Sequence, residues 1–136
     1  MDNNFAELES FLNTLDDDTP IAFITSGGTS VKLEKNTVRS IENFSTGKRG
    51  ALCCEEFLKS DYCVVFLYRE GSNLPFFNNF KVDDFFEKTS LINDEVVLGI
   101  DIMDKFKEKK QQYEQFKLNM FKMTFYDIED YLVKYE

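Results

Sequence analysis

A chain of 136 residues, 43% hydrophobic and 30% charged, is the size of one domain around one modest core. A net charge of −9 excludes the broad basic field with which nucleic-acid and anionic-membrane binders meet phosphates. With no histidine, and with Cys53, Cys54 and Cys63 in no CxxC spacing, the usual zinc sets cannot be assembled and no metal ligand is assigned.

The three thiols read as reduced and buried, in a cytoplasmic protein. The opening "MDNNFAELESF" lacks the positive start and apolar stretch of a secretory signal. Its Phe5, Leu8, Phe11, Leu12 and Leu15 lie on one helical stripe with Asp2 or an adjacent Asn as N-cap, so an opening helix is expected within residues 1–18, ended by "DDDTP". "IAFITS" (21–26) is a continuous apolar run, the pattern of a strand covered on both faces, and it leads straight into Gly27 and Gly28.

Residues 46–60, "TGKRGALCCEEFLKS", predict a second helix with Leu52, Cys53 and Phe57 on its apolar face. "YCVVFLY" (62–68) is the next buried strand, and "EGSNLPFFNNF" has the composition of a long loop. "KVDDFFEK" suits a short helix and "EVVLGI" a strand. An amphipathic helix follows, carrying Ile102, Phe106, Tyr113 and Phe116 on one side, then a strand "MFKMTF" (120–125) and a last helix in "YDIEDYLVKY". Strand, glycine loop, helix and strand over residues 20–68 are the plan of a parallel sheet with right-handed crossovers. The expected fold is thus a single α/β domain over 1–136, a Rossmann-like three-layer sandwich with a mostly parallel sheet.

Chemistry concentrates in "TSGGTSVKLEKNTVRSIENFSTGKRG", residues 25–50. This segment holds four of the six glycines, and five cations against Glu34 and Glu42, a local balance of +3 in an acidic chain. A small basic island suits a compact anion, such as a phosphorylated metabolite, better than a polymer. In open α/β sheets ligands bind beyond the carboxyl ends of strands, where loops enter helix N-termini. Gly27 and Gly28 would let backbone N–H groups approach a phosphate. Ser45, Thr46, Gly47 and Gly50 open a helix whose unpaired N–H groups and partial positive charge also favour an anion.

Familiar glycine patterns do not fit. Gly47-Lys48 is followed by Arg49 rather than Ser or Thr, and Glu42 stands where a P-loop has its first glycine; the dinucleotide fingerprint GxGxxG is absent. Plainer readings stand beside the functional one: glycines as turns, Arg39 as a solvated cation, Asn43 as a turn residue, Ser45 or Thr46 as helix caps. Lys48 and Arg49 are mildly unfavourable at a helix N-terminus, which hints at an anion nearby.

The whole string, with "CCEEFLKS" and "YCVVFLYREGSNLPF" after it, resembles the N-terminal half of phosphopantothenate–cysteine ligase, also called phosphopantothenoylcysteine synthetase, in its eukaryotic branch. The likeness covers residues 20 to about 80, and more loosely 110–133. It implies a ligase of coenzyme A biosynthesis in which ATP, or CTP, with Mg²⁺ activates the carboxylate of 4′-phosphopantothenate as an acyl nucleotide, and the amine of L-cysteine attacks that carbonyl. It implies nucleotide contacts from Gly27, Gly28, Ser45, Gly47 and Gly50, a catalytic and substrate-binding role for Asn43, and an Arg39 that reaches the neighbour's substrate phosphate across a homodimer interface. Cytoplasmic location follows, with no nucleic-acid or membrane partner.

Two departures qualify the likeness. Ser40 stands where the family has an aromatic or apolar residue after the arginine. The family also continues past the helix at "YDIEDYLVKY" with an alanine-rich strand and lysine-bearing segments, so the fold is expected to be incomplete at its C-terminal side. A separate chain supplying that half is one expectation. The alternative is a non-catalytic nucleotide- or substrate-binding regulatory subunit; a nicotinamide-dependent reductase is disfavoured by the missing fingerprint.

Overall fold

The computed structural model describes residues 3–36, 38–77 and 80–136, so the N-cap expected at Asp2 and the asparagines of "PFFNNF" lie outside the described residues. In chain order the elements are α1 (Asn3–Asn13), β1 (Ile21–Ser26), β2 (Ser30–Lys32), β3 (Ser40–Glu42), α2 (Lys48–Lys59), β4 (Cys63–Arg69), α3 (Val82–Glu87), β5 (Thr89–Ile92), β6 (Glu95–Leu98), α4 (Ile100–Phe116), β7 (Met120–Phe125) and α5 (Ile128–Tyr135).

The apolar runs explain the central sheet. β4 lies between β1 and β7, and both pairings are parallel, with Ile21 beside Cys63 and Val64 beside Met120. A middle strand has two covered faces, which is why "CVVFL" is continuously apolar: Val64, Phe66 and Leu67 are fully buried. One face packs Val64, Phe66 and Met120 with Cys54 and Leu58 of α2 and Phe116 of α4. The other packs Leu67, Met123 and Phe125 with Leu8 of α1 and Tyr131 of α5. Helices on both faces of a parallel sheet make three layers, as the α/β reading requires. Burying each large side chain contributes roughly 1.5–3 kcal/mol.

β1 corrects one expectation. Its residues are as read, but the strand is not covered on both faces: Ile21 is 49% and Phe23 46% exposed. Among the described residues β1 pairs on one side only, and on its second face Phe23 meets the end of α5, with the ring centroids of Phe23 and Tyr135 5.9 Å apart.

The apolar face of α2 is also rotated from the one expected. Ala51, Cys54, Glu55 and Leu58 are buried, whereas Leu52 and Phe57 are about 40% exposed and Cys53 is exposed. Buried positions follow the i, i+3, i+4, i+7 stripe, and an acidic residue on that stripe hides it from a count of hydrophobic residues. The burial expected of all three thiols holds for Cys54 and Cys63 only.

Two antiparallel hairpins complete the fold, and neither was legible as a pair. β2 and β3 pair Val31 with Ile41 inside what reads as one basic loop. β5 and β6 flank Asn93 and Asp94, whose φ values of 50° and 63° give the left-handed two-residue turn that matches strand twist. "EVVLGI" thus becomes β6, and its partner β5 was missed. Among the described residues no helix is long and apolar enough to cross a membrane.

Candidate anion-binding site

β1 ends on Ser26, which is buried and donates its hydroxyl proton to the Gly47 carbonyl at 3.1 Å. That bond ties the carboxyl end of the strand to the N-terminus of α2, across 21 residues of chain. Between them opens a cleft of about 700 Å³ lined by residues 25–27 and 44–50, with Leu52 at its edge. Both glycine bends therefore face one space.

The glycines serve the chain before any ligand. Gly27 and Gly47 have φ of 90° and 77°, a region that side chains rarely adopt. A Cβ on Gly27 would strike the Ser72 hydroxyl, and one on Gly50 the Ser26 side chain. At Gly47 it would press on Ser72 Cβ at 3.0 Å and Ser26 Oγ at 3.1 Å. Gly28 is buried and turned to the Asn43 carbonyl, where a Cβ would overlap that oxygen; it does not line the cleft. The glycine signal is thus partly about segment packing, and only Gly27, Gly47 and Gly50 of the four also border the open space.

The charge pattern fits an anion. Lys48 and Arg49 line the cleft and no carboxylate does. α2 begins on a glycine N-cap, which has no side chain to satisfy the first-turn N–H groups. Ser45 and Thr46 hydroxyls accept from the N–H groups of Gly47 and Lys48 only at 3.3 and 3.4 Å. Main-chain donors, the positive end of a helix and two cations thus converge. Among the described residues no cluster of three or more potential metal ligands occurs. A divalent ion here would find its ligands on the phosphates and water rather than on carboxylates.

The remaining predicted residues distribute unevenly. Ser45 lines the cleft. Asn43 adjoins it and is exposed, its N–H donating to the Thr29 carbonyl at 2.9 Å. Arg39 stands away on the β2–β3 hairpin, its side chain 77% exposed and its Nε 3.2 Å from Glu34 Oε1. Within this chain it does not reach the cleft.

Several participants were not anticipated. Thr25, Ser26 and the 97% exposed ring of Phe44 line the cleft. Ser72 packs on the Gly27 and Gly47 bends, and the Asn73 N–H donates to the Thr46 carbonyl at 2.8 Å. The one sequence cue was Ser26, a polar end to an apolar strand; nothing in the chain foretold that residues 72 and 73 meet residues 27 and 46. Burial, followed by the nearby Glu55 charge, pushes the Cys54 thiol up to about 12, so it is no nucleophile.

No protein-family model matches the chain. The phosphopantothenate–cysteine ligase CAB2 of Saccharomyces cerevisiae is 41% identical over 102 residues, 68% of this chain and 28% of that protein. Phosphopantothenate–cysteine ligase 1 of Oryza sativa subsp. japonica is 54% identical over 65 residues, 48% of this chain and 20% of that protein. Among solved structures, a Cab2 mutant superposes with a TM-score of 0.83 at 32% identity, covering 96% of this chain and 44% of that one. The same mutant in complex with phosphopantothenate-cysteine gives a TM-score of 0.75 at 34% identity over 94% of this chain and 41% of that one. The chain spans less than a third of the length of these two curated relatives. In sequence and in fold, the chain is therefore a homologue of the phosphopantothenate–cysteine ligases that spans part of their length.

Proposed function

We propose that this chain carries the nucleotide-binding half of a phosphopantothenate–cysteine ligase of coenzyme A biosynthesis. The observation that carries the reading is the single cleft shared by residues 25–27 and 44–50, with two cations and no carboxylate on its wall. A nucleoside triphosphate, ATP or CTP, sits with its phosphates against Gly27, Ser45, Gly47 and Gly50; Mg²⁺ would enter with it and would supply further positive charge against the phosphates. The 4′-phosphopantothenate carboxylate attacks the α-phosphate and expels pyrophosphate. The cysteine amine then attacks the acyl carbonyl, the nucleoside monophosphate leaves, and an amide results.

What this chain contributes is position and field. Two anions that repel each other must be held in register, and fixed proximity replaces an improbable encounter. Lys48, Arg49 and the α2 terminus lower the repulsion without reorganising during the step. The Asn43 amide donates and accepts without adding charge, which suits it to the acyl group. Arg39 serves a neighbouring protomer: its distance from the cleft and the exposed Val31, Val38 and Ile41 of its hairpin support a homodimer in which that hairpin crosses over.

The test is to incubate the purified chain with ATP or CTP, phosphopantothenate and cysteine, with and without a chain carrying the rest of a relative's length, and to measure pyrophosphate. Release under either condition supports the ligase. Nucleotide binding without release under both favours a non-catalytic binding subunit, and no nucleotide binding at all overturns the site.

A further inference from the structure

Glu55 is the one acidic side chain buried among the described residues, at 4% exposure, on the inner face of α2. Apolar packing alone would be better served there by a leucine, because a buried carboxylate loses its hydration and needs a fixed donor in return. The donor is the backbone N–H of Phe76, 2.5 Å from Glu55 Oε1.

Phe76 is itself constrained. Its φ is 70°, a left-handed conformation unusual for a bulky residue, while its ring is fully buried and stacked 6.1 Å from that of Phe116. Ring burial fixes one end of the turn and the carboxylate fixes its N–H. Without the acceptor, the strained turn would have a buried, unsatisfied donor as well.

The same loop touches both glycine bends. Three residues before Phe76, the Asn73 N–H bonds the Thr46 carbonyl, immediately ahead of α2; one residue earlier, Ser72 fills the space beside Gly27 and Gly47. Contacts therefore run from Glu55 to the 72–76 loop and back to the N-terminus of Glu55's own helix.

Resting on the nucleotide-site reading above, we infer that Glu55 is a positioning residue: by holding the Phe76 N–H it sets the 72–73 wedge and, through it, the separation of the two glycine bends. It touches no ligand.

Residue-resolved hydrogen exchange on the intact chain tests this without a ligand. In Glu55→Leu the Asn73 amide should exchange about tenfold faster, the effect of losing roughly 1.4 kcal/mol of local protection, while the β4 amides stay as in the wild type. Glu55→Gln, whose amide oxygen still accepts, should restore Asn73 protection. Unchanged Asn73 exchange in a folded Glu55→Leu, or equal loss of protection in Asn73 and β4, overturns the inference, the latter because Glu55 would then serve global stability only. Should Glu55→Leu not fold, the decision rests on Glu55→Gln, where Asn73 protection below one-tenth of wild type also overturns it. ATP titration of the same proteins reads the consequence: weaker binding in the leucine variant, rescued in glutamine. A wild type that binds no ATP refutes the nucleotide reading alone, since the exchange comparison still decides whether Glu55 positions the 72–73 wedge.

Discussion

Ser26 occupies the volume that a side chain at Gly50 would need: a Cβ built there would overlap both Ser26 Oγ and its Cβ. The strand that ends on Ser26 and the helix that contains Gly50 are thus in direct contact at the floor of the cleft, and the Ser26 hydroxyl bonded to Gly47 fixes their orientation. Gly50 is needed for close approach, since its backbone φ is not in the left-handed region.

That contact makes Gly50→Ala destabilising by about 1–3 kcal/mol, the range for forcing a methyl group into a packed site. Ser26→Gly in the same background should recover part of the loss, because it removes the atoms in the way. Urea denaturation of the two single variants and the double variant checks both, and additivity of the single effects would show that the residues do not clash.

Asp127 links α5 to the β2–β3 hairpin. Its carboxylate accepts from the Asp130 N–H at 3.0 Å as the N-cap of α5 and lies 3.4 Å from Lys32 Nζ. The Asp130 backbone bond, then Lys32, hold its pKa below the ordinary aspartate value. A depressed carboxylate pKa stabilises the fold above the unfolded-state pKa, and that stability is lost as the pH falls through the folded one. Asp127→Ala should therefore cost about 1 kcal/mol near neutrality, and the difference from wild type should shrink in acid, as the pH falls through the lowered pKa and the charge-dependent part of the cap is lost. Thermal melts from neutral pH into acid measure it; a difference that stays the same at every pH would contradict the charged cap.

The thiols should separate by reactivity. Cys53 is exposed on the outer face of α2, and Cys54, one residue on, is fully buried with its thiol pushed up to about 12. Brief alkylation of the native chain at mildly alkaline pH should label Cys53 and spare Cys54, because the thiolate is the nucleophile and burial withholds it. Peptide mapping checks this, and equal labelling would place the Cys54 side of α2 in solvent.

Asn43 tests the proposed chemistry. In an enzyme reconstituted with its remaining half, Asn43→Ala should lower turnover by at least about tenfold, one hydrogen bond made in the transition state, while changing nucleotide affinity far less. Parallel calorimetry and pyrophosphate measurements separate the two effects. A loss confined to affinity would make Asn43 a binding residue only.

The periodicities that sequence carries were enough for the larger elements: β1 and β7 lie on the residues of "IAFITS" and "MFKMTF", α2 and α5 lie within the helical stretches read from spacing, and α4 carries Ile102, Phe106, Tyr113 and Phe116 as expected but begins on Ile100, in the run read as a strand. On β4 a continuous apolar run and full burial agree, whereas β1, an edge strand with a run as apolar, leaves Ile21 and Phe23 about half exposed. Cysteine and glutamate on α2 show where that ends, since Cys53 and Glu55 exchange the exposures that polarity suggests.

By itself, the sequence determined the α/β order, the strand-to-glycine-to-helix plan, and the gathering of cations and small residues into 25–50, because each is local and follows from backbone geometry and side-chain size. Only the tertiary structure decided that Ser72 and Asn73 wedge the glycine bends, that Glu55 is buried beneath Phe76, and that Arg39 lies away from the cleft beside Glu34. The first two depend on crossovers that bring distant parts of the chain into contact, Glu55 with Phe76 across 21 positions among them, and a close approach leaves its trace in one chain as nothing more specific than a glycine.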